Sequence, residues 1–230
     1  MILIEQAVGA VRNFVELGGP VVAILLGLSV LAFAVIIFKF WQFRVSGVGR
    51  RSALNEALEH WDAGSEAAAR GAIKRSPNHL GSLLVEAMNA AGTDNDRQML
   101  AERLNARAEA QLARLESMFR LLDSVSQVAP LLGLFGTVLG MIQAFQKLQG
   151  AGSSVDPSLL AGGIWVALMT TAVGLAVAMP TSVILTFLES RVARERIFVD
   201  KALQMILCPG EFDKTRAQNT APAGLQAHAH

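Results

Sequence analysis

Three hydroxyls stand inside long, charge-free apolar runs: Thr137 in GLFGTVLG, and Thr170 and Thr171 in LMTTAVG. A hydroxyl donates one hydrogen bond and accepts others. In a bilayer it either bonds a carbonyl one turn back on its own helix or lines a polar path through the apolar interior. Small residues surround these threonines at helical spacing. Gly133, Gly136 and Gly140 lead to Ala144 in one run, with Gly136 and Gly140 in a GxxxG spacing. Ala167, Gly174, Ala178 and Ser182 share a stripe with Thr171 in the other. Each glycine costs a water-exposed helix about 1 kcal/mol relative to alanine. In lipid the same residues let two helix backbones approach closely. From the residues alone two uses stand open: helix packing with self-satisfied threonines, or a narrow hydroxyl-lined lumen made by several copies around a partner helix.

No other group of residues has the pattern of a reactive centre. His60 and His79 lie in a hydrophilic segment with no Cys or carboxylate at metal-ligand spacing, and His228 and His230 form a short tail repeat. GLFGTVLG lacks the Lys-Ser/Thr ending of a phosphate loop. With no acid, base, nucleophile or metal cluster, neither enzymatic activity nor a cofactor or metal is expected. The single cysteine, Cys208, allows no internal disulfide, and a net charge of +1 does not point to nucleic acid. Intramembrane ionisable residues usually mark an ion path. None lies between Ser124 and Gln146 or between Pro157 and Leu188. The chain therefore does not move protons by an acid relay of its own. Either it moves none, or a partner brings the titratable group.

The elements that hold these residues are read from charge-free length. The chain of 230 residues is 52% hydrophobic and 17% charged, with a mean hydropathy of +0.41; soluble domains carry roughly 25% charge. Uncharged stretches of 22, 23 and 32 residues run over Leu17 to Phe38, Ser124 to Gln146 and Pro157 to Leu188. A membrane-spanning helix needs about 20 such residues. Three transmembrane helices are expected, and strand patterns are weak, so the fold is all-α. Of the 20 Lys plus Arg, 12 fall between Lys39 and Asp123 and 6 after Leu188. The positive-inside rule then places the middle segment and C-terminus in the cytoplasm and the N-terminus and KLQGAGSSVDPS outside. The N-terminus lacks the early basic region and cleavage site of a secretory signal, so the first span is expected to be retained.

The expected organisation is a periplasmic segment over 1–16, spans over 17–43, 124–146 and 161–188, and a cytoplasmic helical domain over 44–123. A periplasmic loop occupies 147–160, a cytoplasmic helix 189–208 and a disordered tail 209–230. In the aqueous part, Ser76 and Pro77 have the pattern of a helix start, with Leu80, Leu83, Leu84, Ala87 and Met88 on one face. A second helix, capped by Thr93 or Asp94, buries Leu100, Leu104, Ala108, Leu112, Leu115, Phe119 and Leu122 and is expected to run unbroken into the second span. Its charged face reads as solvated, or as a surface on which the long stalks pack against copies of themselves.

APLLGLFGTVLGMIQAF followed by GGIWVALMTTAVGLAVAMP resembles the ExbB/TolQ/MotA proton-channel family, the ExbB and TolQ branches most closely. The detailed resemblance spans about Leu112 to Phe187. It implies a multi-pass protein of the bacterial inner membrane and a homo-oligomer, a pentamer, surrounding the helices of an ExbD-like single-span partner that carries a membrane Asp. It also implies a TonB-like protein downstream in the ExbB branch and envelope maintenance in the TolQ branch. The family's pore threonines map to Thr137 and Thr171, with Thr170 beside them. Gly133, Gly136, Gly140, Ala167, Gly174 and Ala178 are the helix-packing positions. Family members often carry an acid in the pattern I-x-E-A-L. This chain reads Ile164-Trp165-Val166-Ala167-Leu168, so a proton role for that carboxylate does not transfer. A structural scaffold without conduction is the alternative of a different class.

Overall fold

The computed structural model describes residues 2–91, 97–150 and 157–208. Among these residues the chain forms seven helices and no strand: α1 Ile2–Val45, α2 Ser52–Asp62, α3 Glu66–Lys74, α4 Gly81–Ala90, α5 Arg97–Glu116, α6 Phe119–Gly150 and α7 Pro157–Leu207. Gly92, Thr93, Asp94 and the tail 209–230 lie outside the described residues. Three stretches are long and apolar enough to cross a membrane: Gly19–Val45, Phe119–Gly150 and Leu160–Leu207. The chain divides into two compact units, Met1–Phe40 with Ser117–Leu188 and Trp41–Glu116 with Glu189–His230.

In the first unit α1 is broken at Gly19, whose φ of 67° and ψ of −166° leave the helical region. Pro20 follows, without a backbone N–H to give to the preceding turn. The apolar half of α1 thus starts at a backbone break. The three spans meet around Val21 and Leu25 of α1, Ala129 of α6 and Ala178 of α7, with Leu132, Leu139, Val173 and Val177 packed against them. Larger apolar side chains such as Phe33, Leu131, Trp165 and Val183 point outward. That arrangement suits lipid, where helices gain from close packing and not from hiding apolar surface.

Lys39, which the sequence offers only as a marker of orientation, is fully buried. Its Nζ donates to Ser117 Oγ at 3.1 Å and lies 5.4 Å from the Phe119 ring centroid. Ser117 lies where the helix expected to be continuous is interrupted. Met118 takes φ 66°, the left-handed region, between α5 and α6. The regular period of buried Leu112, Leu115, Phe119 and Leu122 concealed this interruption, since one residue in the left-handed region leaves the hydrophobic spacing almost unchanged.

In the second unit, Leu54 and Leu58 of α2, Ala69 and Ile73 of α3, Leu83, Leu84 and Met88 of α4, Leu104 and Leu112 of α5 and Val199, Leu203 and Ile206 of α7 form the buried set. The charged face of α5 is not wholly solvated. Glu109 and Glu116 hold Arg196 of α7 at 2.9 and 3.1 Å, and Arg107 pairs with Glu86. The expected helix start at Ser76 is also displaced. Ser76 Oγ accepts the Asn78 N–H, Asn78 Oδ1 accepts the Leu80 N–H, and α4 begins only at Gly81. The Asn78 amide in turn donates to the carbonyls of Gly47 and Arg50. These are local side-chain alternatives to the helix that short polar residues offer.

A non-glycine residue in the left-handed region carries about 1–2 kcal/mol of strain, and the Met118 side chain is half exposed. Thermal unfolding of the detergent-solubilised chain should rank Met118→Gly at or above wild type and the β-branched Met118→Val below it. The reverse order would show that Met118 is held by packing.

Candidate functional site

The site is the face on which α6 and α7 meet within the first unit. A methyl group added to Gly174 would lie 2.6 Å from the Ala129 carbonyl oxygen and 3.2 Å from Gly133 Cα. One on Gly133 would lie 3.0 Å from the Thr170 carbonyl oxygen and from Thr171 Cα, and one on Gly140 would lie 3.0 Å from Ala167 Cβ. The two backbones are therefore in direct contact, and the small residues on each are complementary. These contacts lie within a single chain. Gly133, Gly136 and Gly140 are in contact with α7 of their own chain.

The three threonines differ. Thr137, partly buried, donates to the Leu134 carbonyl at 2.7 Å. Thr170, 2% exposed, sends its hydroxyl to the Ala167 carbonyl at 2.7 Å, with the Gly133 carbonyl across the helix pair at 3.2 Å. It sits in the space that Gly136 leaves, where an added methyl would lie 2.6 Å from Thr170 Oγ1. Thr171 Oγ1 is buried and has no protein partner. Two of the three hydroxyls thus satisfy themselves on their own helix, while Thr171 keeps its full hydrogen-bonding capacity. A buried hydroxyl without a partner costs about 1–3 kcal/mol.

A cavity of about 430 Å³ opens beside this face. Gly136, Gly140, Val166 and Thr170 form one wall, and Gln143 and Lys147 of α6 supply polar groups. Its lining contains no Asp or Glu. Val166, at the position where the resemblance leads one to look for an acid, is part of that lining. Among the described residues no cluster of His, Cys, Asp and Glu could hold a metal ion. Among its lining residues the cavity thus offers the Thr170 hydroxyl and no carboxylate.

Sequence reasoning missed several polar residues that the structure buries: Lys39, Asn78, Thr181 and Glu195. Thr181 sits one residue from the predicted stripe and bonds the Val177 carbonyl at 2.7 Å. Glu195 lies in the run RVARER, where nothing in the spacing separates it from its solvated neighbours.

Residues 75–200 match the family described as the MotA/TolQ/ExbB proton channel family. An ExbB-like biopolymer transport protein of Synechocystis is 30% identical over 71% of this chain and 78% of its own length. A biopolymer transport protein of Vibrio cholerae, exbB1, is 37% identical over 41% of each chain. The Tol-Pal system protein TolQ of Haemophilus influenzae is 39% identical over 34% of this chain and 33% of its own. The chain thus spans less than half the length of the last two relatives.

Overpacking a close contact costs about 1–3 kcal/mol. Gly174→Ala, driven against the Ala129 carbonyl, should lower thermal stability by about that amount, whereas Gly162→Ala on the same helix meets nothing within 4 Å and should be neutral. Equal effects of the two would mean that α6 and α7 are not held at backbone contact.

Proposed function

The chain belongs to the MotA/TolQ/ExbB proton channel family, and from that premise we propose that it is an ExbB-like subunit of a motor in the bacterial inner membrane. In this reading several copies, five by the family pattern, surround an ExbD-like partner whose membrane Asp carries the proton. The complex then energises a TonB-like protein for import across the outer membrane. The observation that carries the proposal is the uncharged α6–α7 face with the unpartnered hydroxyl of Thr171. A proton-driven machine of this kind needs a carboxylate that titrates inside the membrane, and the lining of the cavity beside that face has none. A partner carboxylate supplies what is missing, and Thr171 supplies a donor for its ionised form.

The distribution of Lys and Arg supports an N-terminus in the periplasm and a C-terminus in the cytoplasm. A proton falling through 100 mV releases about 2.3 kcal/mol, enough to bias a helix between near-equivalent positions on a lining of small side chains. Thr137, Thr170 and Thr171 are the proposed pore lining, and Gly133, Gly136, Gly140, Ala167, Gly174 and Ala178 keep the two helices close enough to form it. Val166 leaves the partner Asp as the sole carrier. The similarity to TolQ favours a second reading, in which the same motor serves envelope maintenance.

Hydrogen bonds to charged groups contribute about 1.5–3 kcal/mol. Thr171→Val, nearly isosteric, should therefore slow proton-dependent nutrient uptake about tenfold or more while leaving the assembled complex intact by native mass spectrometry. Full uptake with an intact envelope in that variant would remove Thr171 from the proton path. Unchanged uptake together with defective envelope integrity would move the chain to the TolQ branch.

A further inference from the structure

The second unit contains a buried ionisable cluster that the motor mechanism does not use. Residues 46–51 form a short strap between α1 and α2. The strap passes the start of α4 so closely that a methyl on Gly47, at φ +63°, would lie 2.5 Å from the Pro77 carbonyl oxygen. The Asn78 amide donates to its Gly47 and Arg50 carbonyls, and two further residues flank it. On one side the His79 N–H donates to the Ser46 carbonyl at 3.1 Å, and the His79 ring Nδ1 lies 3.3 Å from the same oxygen. On the other side Glu195 of α7, 0% exposed, accepts from the Gly49 N–H at 2.8 Å and from Arg51 at 3.1 Å through a single oxygen, Oε1.

Each of the two residues has a second polar atom that is buried without a protein partner: His79 Nε2 and Glu195 Oε2. The contact with Ser46 O fixes the tautomer. Nδ1 carries the hydrogen, so Nε2 of the neutral ring is a lone-pair acceptor. The charged groups gathered on the strap are Glu195 and Arg191 from α7 and Arg50 and Arg51 from the strap itself. Arg191 Nη1 lies 3.1 Å from the place a methyl on Gly49 would take, and Arg51 lies 4.9 Å from the Phe198 ring.

We propose that His79, bonded to the strap that Glu195 also holds, is an acid-sensitive latch: the strap is closed while the ring is neutral and released when Nε2 takes up a proton. The proton comes from the surrounding water and binds the Nε2 lone pair; no other bond is made or broken. Burial holds His79 below the ordinary histidine value of 6.5, against the opposing pull of Glu195 and of the Ser46 carbonyl. A ring freed by opening of the strap binds a proton more tightly than the clamped ring. The closed form is therefore fully favoured above about pH 6.5 and loses ground as the pH falls through that value. The latch sits where the chain leaves α1 for the helices of the second unit. It reports the pH of the compartment holding that unit, and only the identification of this compartment as the cytoplasm rests on the proposed function.

Hydrogen exchange of the full-length chain in lipid nanodiscs, corrected for intrinsic exchange rates, tests the latch. Between about pH 7.5 and about pH 5.5 protection of residues 46–51 should fall about tenfold in wild type. It should stay level in His79→Gln, and in Glu195→Gln the transition should move to lower pH because the opposing carboxylate charge is gone. An identical pH response in wild type and His79→Gln, or a transition unmoved in Glu195→Gln, overturns the proposal. A measurement on the unsubstituted chain stands beside these variants. In an NMR titration with labelled histidine, His79 should titrate below 6.5, and a value at or above it is equally contradictory. Neither readout depends on nutrient uptake or on a partner protein, so failure of the latch and failure of the motor reading are separable.

Discussion

Direct backbone contact between α6 and α7 is the constraint on which the membrane unit depends. In water such a glycine-rich pair would be a weak point, because glycine gives up conformational freedom without returning buried apolar area. In lipid burial of apolar area between helices stabilises little, and the helices are held by contact at short range. Gly133, Gly136, Gly140 and Gly174 remove the side chains that would keep the two axes apart. Once the backbones touch, Thr170 can bridge from its own turn to the Gly133 carbonyl. The packing and the polar character of the face thus have a common cause.

The same constraint explains why the face is chemically quiet. A side chain long enough to place a carboxylate at Gly136 or Gly174 would separate the helices. Val166, in the cavity lining where there is room for an acid, is apolar. The contact face between α6 and α7 is left with hydroxyls, which can support a charge but not carry a proton across. Of these, only Thr171 among the three candidate threonines keeps its oxygen uncommitted. This division of labour, with the chain as a lining and the partner as the carrier, is the core of the proposed mechanism.

The three long apolar helices and the recurrence of small residues along two of them were legible in the sequence because each rests on composition and period. A run of twenty or more uncharged residues is longer than a soluble core helix needs and matches the thickness of a bilayer, and GxxxG spacing repeats every turn. The features that escaped depend on single residues. Met118 interrupts a helix without disturbing its hydrophobic spacing. Asn78 and Ser76 replace a helix start with side-chain bonds that a Ser-Pro pattern does not distinguish from a cap. Lys39 and Glu195 are buried because particular groups, Ser117 Oγ and the Gly49 N–H, come to them from distant parts of the chain. A one-dimensional pattern gives no account of such meetings.

The central claim is that this chain surrounds a proton carrier and does not supply one. Proton flux into liposomes under an imposed membrane potential tests it most directly, with the chain reconstituted alone and together with the proposed ExbD-like partner. The account predicts flux only when the partner is present, and loss of that flux when the partner's membrane Asp is replaced by Asn. Proton flux through the chain alone, or flux unaffected by loss of the partner Asp, would contradict it.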